Sequence, residues 1–288
     1  MTPGTGDMDR RTFLRSSAST ALAAGALGVI GAGSASAADR PIPRPGIGMH
    51  LYTMRRSLAD DFAGTLGELA RIGYATVGVS GRHGHSAAEI RSMIDDTGMR
   101  AVLEHVGLNR IDDRWEQACE EVVVLGGEWI VIRSLPGVDY TADSFRALAD
   151  TFNRAGETAS RYGLKVLFHN HDASFATDEG RVLYDILVEE TEPEYVGFEL
   201  DVYWMVRGGY EPADYFVRYP ARFPALHVKD MAPDGGFADV GSGVLDFEAM
   251  FADAHRGGVR QWLVEHDDPE SEFATARNSF GALRAMRF

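Results

Sequence analysis

From Ile47 to the end, short apolar runs alternate with longer segments whose apolar positions recur at helical spacing. Eight short runs read as strands: Ile47 to Tyr52, Thr76 to Ser80, Arg100 to Val106, Trp129 to Arg133, Lys165 to His169, Val196 to Asp201, Ala225 to Val228 and Gln261 to Glu265. Helices are predicted over Leu58 to Ile72, Ala87 to Thr97, Ile111 to Leu125, Asp143 to Tyr162, Val182 to Glu190, Pro212 to Arg218, Phe247 to Arg256 and Glu270 to Met286. Ser86-Ala87-Ala88-Glu89 has the spacing of a capping box, and Gly73, Gly98, Gly163 and Gly257 stand where left-handed C-terminal caps belong.

Repeated strand-then-helix units require parallel strands joined by right-handed crossovers. At this count and length the commonest closed solution is an α/β architecture, the (β/α)8 TIM barrel, here a single domain over residues 47–288. A doubly wound open sheet is the runner-up. Three prolines between Pro41 and Pro45 predict an extended linker over residues 38–46. No low-complexity tract or close internal repeat follows it.

Residues 1–37 read as a targeting segment. Arg10-Arg11 with Phe13-Leu14 precedes a weakly apolar Ala- and Gly-rich run, then Ala35-Ser36-Ala37. This is the layout of a twin-arginine signal peptide, so the twin-arginine translocase is an expected partner and a periplasmic or extracellular location the expected destination. The apolar run falls short of the roughly 18 to 20 residues of a spanning helix, which argues against a stable membrane anchor. Cleavage near Ala37 leaves 251 residues and removes three Arg and two Asp, taking the net charge from −15 to −16. Such a balance disfavours nucleic acid and anionic membrane surfaces as partners. The one cysteine, Cys119, lies at helical spacing from Trp115, Val122 and Val123 and reads as a buried structural thiol.

Active sites of parallel barrels sit at the C-terminal ends of the strands. Here those ends are rich in polar residues: Phe168-His169-Asn170-His171-Asp172, Glu199-Leu200-Asp201, Leu226-His227-Val228-Lys229-Asp230 and Val264-Glu265-His266-Asp267. Strand alternation puts His169 and His171 on one face and Asn170 on the other. With Asp201, His227 and Glu265 they form a mixed nitrogen and oxygen set that suits divalent Mn, Zn, Co or Fe better than Ca. Of 28 basic residues only Lys165 and Lys229 are lysine. Lys229 shares parity with His227 and can polarise a carbonyl or move a proton, tasks for which Arg is poorly suited. A rim ion pair with Asp230 is the plainer alternative. His50, Glu104, His105 and Arg133 end other strands and are candidates to face substrate. Tyr203 and Trp204 could supply an aromatic wall for a sugar, or simply core. Gly241-Ser242-Gly243 is too short for a phosphate loop and reads as a tight turn.

These segments, together with Ile47-Gly48-Met49-His50-Leu51-Tyr52 and Val240-Gly241-Ser242-Gly243-Val244-Leu245-Asp246-Phe247, resemble the xylose-isomerase-like TIM barrel superfamily. Within it they are similar to the His-Asn-His subgroup of the sugar phosphate isomerases/epimerases. The resemblance spans the chain from Ile47 to the end. It implies a divalent metal held by His169, Asp201, His227 and Glu265. From the residues themselves, Glu265, Lys229 and His171 are the expected catalytic groups, and His50, His105, Arg133 and Trp204 the candidates for substrate contact. Two departures stand out. The superfamily's ketose epimerases carry Glu where this chain has His169, so their two-glutamate proton relay is incomplete, and the subgroup's first motif has Gln at the position of His50.

The expected activity is an exported, metal-dependent isomerase or epimerase acting through an enediolate on a small-molecule carbohydrate, a free keto-sugar or polyol-derived ketone. Collapse of that enediolate with loss of a β-oxygen gives the alternative, a lyase or dehydratase of keto-glycosides or inososes. A non-catalytic sugar-binding barrel is a third reading, and homo-oligomerisation is left open.

Overall fold

The computed structural model describes residues 40–288, so the expected signal segment 1–37 lies outside the described residues. Eight parallel strands close into one barrel: β1 (Ile47–His50), β2 (Thr76–Val79), β3 (Arg100–Val106), β4 (Trp129–Ile132), β5 (Lys165–His169), β6 (Val196–Asp201), β7 (Ala225–Val228) and β8 (Gln261–Val264). Each strand pairs with its sequence neighbours, and β8 returns to β1 through Ile47↔Trp262 and Met49↔Val264. The expected barrel is therefore present and the open sheet is excluded.

Alternation along the strands sorts the core into two. Val102, Leu103, Trp129, Val131, Leu167, Ala225 and Leu263 fill the inside of the barrel. Their out-facing neighbours, such as Ile130, Val166, Phe168, Phe198, Leu200 and Leu226, pack under the helices in the larger outer core. The inner layer stops before the strands do. Beyond Leu167, Ala225 and Leu263 the next inward positions are His169, His227 and Glu265, which places polar groups on an apolar floor.

The helices are α1 (Arg55–Asp60), α2 (Phe62–Ile72), α3 (Ala87–Asp95), α4 (Trp115–Leu125), α5 (Ala142–Ser160), α6 (Leu183–Glu190), α7 (Val202–Arg207), α8 (Pro212–Arg218), α9 (Phe247–Phe251), α10 (Ala254–Gly257) and α11 (Glu272–Ala285). None among the described residues is long and apolar enough to cross a membrane. The Ser86 capping box forms both of its hydrogen bonds. Buried Cys119 faces the core from α4, and burial lifts its thiol to about 11.

Several boundaries depart from expectation. The helix expected from Leu58 breaks at Asp61, whose extended backbone lets its carboxylate accept from Gly64 N and start α2 afresh. The segment Phe247 to Arg256 forms two short helices, and Gly258 rather than Gly257 takes the left-handed cap. α7 was not anticipated. The proline-rich lead-in is docked over its described residues: Arg40 and Phe288 exchange backbone hydrogen bonds at 3.0 and 3.1 Å, and Ile42 is buried.

Candidate metal centre and its cavity

Two short-range devices set the geometry of the rim. Asn170 points away from the barrel axis and bridges β5 to β6, its amide donating to Asp201 O at 3.1 Å and its oxygen accepting from Asp201 N at 2.9 Å. Asp201 ends β6 and also caps α7, Oδ1 accepting from Trp204 N at 3.0 Å. One carboxylate oxygen is thereby committed to the backbone, and Oδ2 faces the barrel interior.

Around that oxygen gather side chains from the neighbouring strands. His169 Nε2 lies 3.3 Å from Asp201 Oδ2, and His227 Nδ1 lies 3.7 Å from the same atom and 2.7 Å from Glu265 Oε2. The four residues His169, Asp201, His227 and Glu265 are all buried and offer ligand atoms within 4.8 Å of one another. His169 Nδ1 is 3.2 Å from Arg133 O, a contact that favours the tautomer with Nε2 unprotonated. His50 Nδ1 bonds the other Glu265 oxygen at 2.7 Å.

Lys229 lies beside the cluster, 2.9 Å from Asp201 Oδ2, 2.8 Å from Glu265 Oε2 and 3.1 Å from Asp267 Oδ1. The plainer pairing with Asp230 does not occur. The Asp230 carboxylate instead accepts backbone N–H groups from Met231, Gly241, Gly243 and Leu245 at 2.8 to 3.2 Å. Gly241-Ser242-Gly243 is thus a turn wound around an aspartate.

Burial and charge compete at every group. Burial favours the protonated form of Asp201, but Lys229 and the adjacent imidazoles outweigh it and hold the carboxyl far below the usual range. Glu265 behaves alike, burial being overcome by His227, Lys229 and His50. Burial lowers His105 to about 4 despite Glu199, and lowers His171 to about 4 with His169 adding to the effect. Asp267 is pushed up to about 6, by burial first and then by the charges of Glu265 and Asp201, against the pull of Lys229.

The cluster borders a cavity of about 560 Å³, lined by His50, Tyr52, Ser80, His105, Arg133, Ser134, His169, His171, Lys229, Glu265 and Asp267. Among the residues singled out from sequence, His50, His105, Arg133, His171 and Lys229 therefore meet there. Trp204 does not line it; its ring stands behind His171, with centroids 5.4 Å apart. Glu104 alternates to the outside and clasps Arg82 through two bonds of 2.7 and 2.8 Å. Tyr203 is buried, its hydroxyl donating to Gly235 O.

Glu199 is the site residue that strand-end reasoning passed over. It is fully buried, with Oε2 2.5 Å from His105 Nε2 and Oε1 3.0 Å from His227 Nε2. Its signal was parity: Glu199 lies two residues before Asp201 and so points inward with it.

The cluster fits a divalent cation. His227 Nδ1 and Glu265 Oε2 are buried without a properly directed hydrogen bond, a costly state unless another partner uses their lone pairs. The Lys229 ammonium already rests against two of the same oxygens, so the cradle is shaped for positive charge. Two imidazoles and two carboxylates are the donor mixture of a first-row transition ion rather than of calcium.

Known proteins resemble the chain over most of this fold. An inosose dehydratase of Geobacillus kaustophilus (strain HTA426) is 21% identical over 261 residues, covering 76% of this chain and 81% of the relative. One from Lacticaseibacillus casei is 24% identical over 167 residues, 52% of this chain, and there the chain spans only 55% of the relative's length. Among solved structures, a sugar phosphate isomerase/epimerase from Parabacteroides distasonis ATCC 8503 superposes with a TM-score of 0.74 at 26% identity, over 89% of this chain and 97% of that one. A protein named IOLI, solved with a bound zinc atom, shares the fold with a TM-score of 0.67 at 15% identity, over 82% and 96% of the two chains. The family description "Xylose isomerase-like TIM barrel" matches residues 66–286, and the chain belongs to that family.

Proposed function

We propose that this barrel is a metal-dependent enzyme that removes the proton beside the carbonyl of a keto-sugar or cyclic polyol ketone, with loss of a β-oxygen as the favoured outcome. His169, Asp201, His227 and Glu265 would hold the ion, zinc and manganese being the leading choices for this donor set. A bound divalent cation polarises a ketone oxygen and so acidifies the adjacent C–H. His171 and Lys229 line the cavity, an imidazole to carry the proton away and an ammonium to donate one to a departing oxygen. The reading includes the twin-arginine export expected from residues 1–37, which would deliver a folded, loaded protein to where free glycosides arrive.

The observation that carries the elimination reading is the placement of the carboxylates. Both that line the cavity, Glu265 and Asp267, stand at the end of one strand, while the β5 position holds His169, its two nitrogens turned to Arg133 O and Asp201. Glu265 therefore has no carboxylate across the cavity with which to form a two-glutamate relay, whereas elimination needs only a base and a donor. The inosose dehydratase relatives point the same way. Isomerisation or epimerisation is the second reading, favoured by the 26% identical solved relative.

Incubation of the metal-loaded protein with ketoses, inososes and 3-keto-glycosides in D₂O, followed by NMR, separates the two. Release of water or an aglycone is expected. Deuterium incorporation without elimination would establish the isomerase or epimerase reading instead.

A further inference from the structure

A second, smaller cavity of about 330 Å³ opens beside the first, and His105 and Arg133 line both. Its remaining wall comes from Arg82, Glu104, Val106, Asn109, Arg110 and Glu121, with two glycines between them. We infer that this side cavity is a subsite for a second carbohydrate unit joined to the ring that reaches the metal cluster, so that the preferred substrate is a glycoside rather than a single free sugar. The inference rests on the proposed reaction for what happens at the cluster, but its binding claim stands on the side cavity alone.

The chemistry of the wall selects the ligand. Val106 is the sole apolar side chain lining the side cavity, and no Phe, Tyr or Trp ring lines it, so an apolar aryl group finds little surface to cover there. Hydroxyl groups do find partners. The exposed Arg133 bonds only through its backbone among the described residues, leaving its guanidinium free for a ligand, and Arg110 Nε is buried without a partner although its Nη2 holds Glu121. Arg82 and Arg110 share Glu121 at 3.1 and 3.3 Å, and Arg82 is further held by Glu104, so the donors and acceptors of this wall are fixed in place before a ligand arrives. Pre-set polar groups of both kinds at the edge of a reaction cavity are suited to the donor-and-acceptor hydroxyls of a sugar.

Gly107 allows a clean block. It takes φ −78° and ψ 149°, which any residue adopts, and an added side chain would meet the Asn109 amide oxygen and push that flexible side chain aside within the side cavity, while Gly107 does not line the first. The full-length protein would be titrated with glucose, with the disaccharides cellobiose and maltose, and with 4-nitrophenyl glucoside, using calorimetry and the NMR signals of the Asn109 amide and the Arg110 Nε–H. A disaccharide is expected to bind about tenfold more tightly than glucose and to move both signals. In Gly107→Leu and Asn109→Ala that advantage should vanish while glucose binding is unchanged. Equal affinity for glucose and both disaccharides, with both signals still, would overturn the inference. A larger gain from the aryl glucoside than from either disaccharide would overturn the assignment to carbohydrate. Because these sugars carry no ketone, disaccharide binding can hold where the D₂O experiment shows no turnover, and the two ideas fail separately.

Discussion

Inside the barrel, His227 Nε2 meets Glu199 Oε1 at 3.0 Å, and the same carboxylate reaches His105 Nε2 at 2.5 Å with its other oxygen. One buried anion thus hydrogen-bonds an imidazole of the cavity wall and stands in charge contact with an imidazole of the metal cluster. A carboxylate behind a ligating histidine fixes its tautomer and raises its basicity, and losing such a partner costs about 10- to 100-fold in metal affinity. Glu199→Gln should therefore bind zinc or manganese more weakly by that factor while keeping its fold. Chelator competition reads the affinity and circular dichroism the fold. Unchanged affinity would reduce Glu199 to a packing role.

Asp201 is asked to do two things at once, cap α7 with Oδ1 and face the cluster with Oδ2. Asp201→Ala removes both, and loss of the cap alone costs about 1 kcal/mol. Asp201→Asn keeps an acceptor for Trp204 N but deletes the charge. Both variants should lose stoichiometric metal, with the Asn variant the more stable in chelator. Elemental analysis and urea unfolding give the two numbers, and full metal retention in both would remove Asp201 from the ligand set.

Asp230 anchors the loop that follows Lys229. In Asp230→Ala the backbone N–H groups of Gly241, Gly243 and Leu245 lose their acceptor, a penalty of about 2 to 4 kcal/mol. Gly243→Ala should act in the same direction, because a Cβ there would collide with the Asp230 carboxylate and Met231 O. Thermal unfolding measures both. A change below about 0.5 kcal/mol in either would show that the loop is held by other contacts.

Outside the cavity lining, Glu272 ties α11 to the first turn of α1. Its carboxylate accepts from Ser57 N at 2.8 Å, Ser57 Oγ at 2.6 Å, and Arg56 N and Nε at 3.1 Å. Burial acts to raise this carboxyl, but the Ser57 and Arg56 donors outweigh it and hold it below the ordinary glutamate value. A folded-state value below the unfolded one of about 4.3 means that this stabilisation is complete above about pH 5 and lost as pH falls through the folded value. Glu272→Gln should lower stability at pH 7 and flatten its decline in acid. Unfolding midpoints from pH 7 to pH 3 provide the check, and parallel curves for the two proteins would refute the linkage.

The barrel strands were legible because each combines an apolar out-facing row with a sharp polar break at its end. His169, His227 and Glu265 lie where the inner row changes from Leu167, Ala225 and Leu263 to polar residues. Glu199 was harder to read because it sits within its strand, where an inward position ordinarily packs. α7 was hidden for a related reason: its N-cap is the metal-cluster residue Asp201, and Val202-Tyr203-Trp204 looked like an aromatic wall until Asp201 Oδ1 was seen to bond Trp204 N. The break at Asp61 turned on a single side chain accepting from Gly64, a contest between continuing one helix and capping another that apolar spacing does not decide.

The backbone exchange between Arg40 and Phe288 also has a topological meaning. β1 to β8 form a ring with no first or last member, and α11 carries the chain back from the cavity end to the foot of the barrel, where Phe288 packs near Trp262. The first and last of the described residues are thus stitched together on the side opposite the cluster. In a variant begun at Arg40, a short peptide joining Phe288 to Arg40 would make the polypeptide as endless as its sheet, and the order in which the eight units are synthesised becomes separable from the cavity that they enclose.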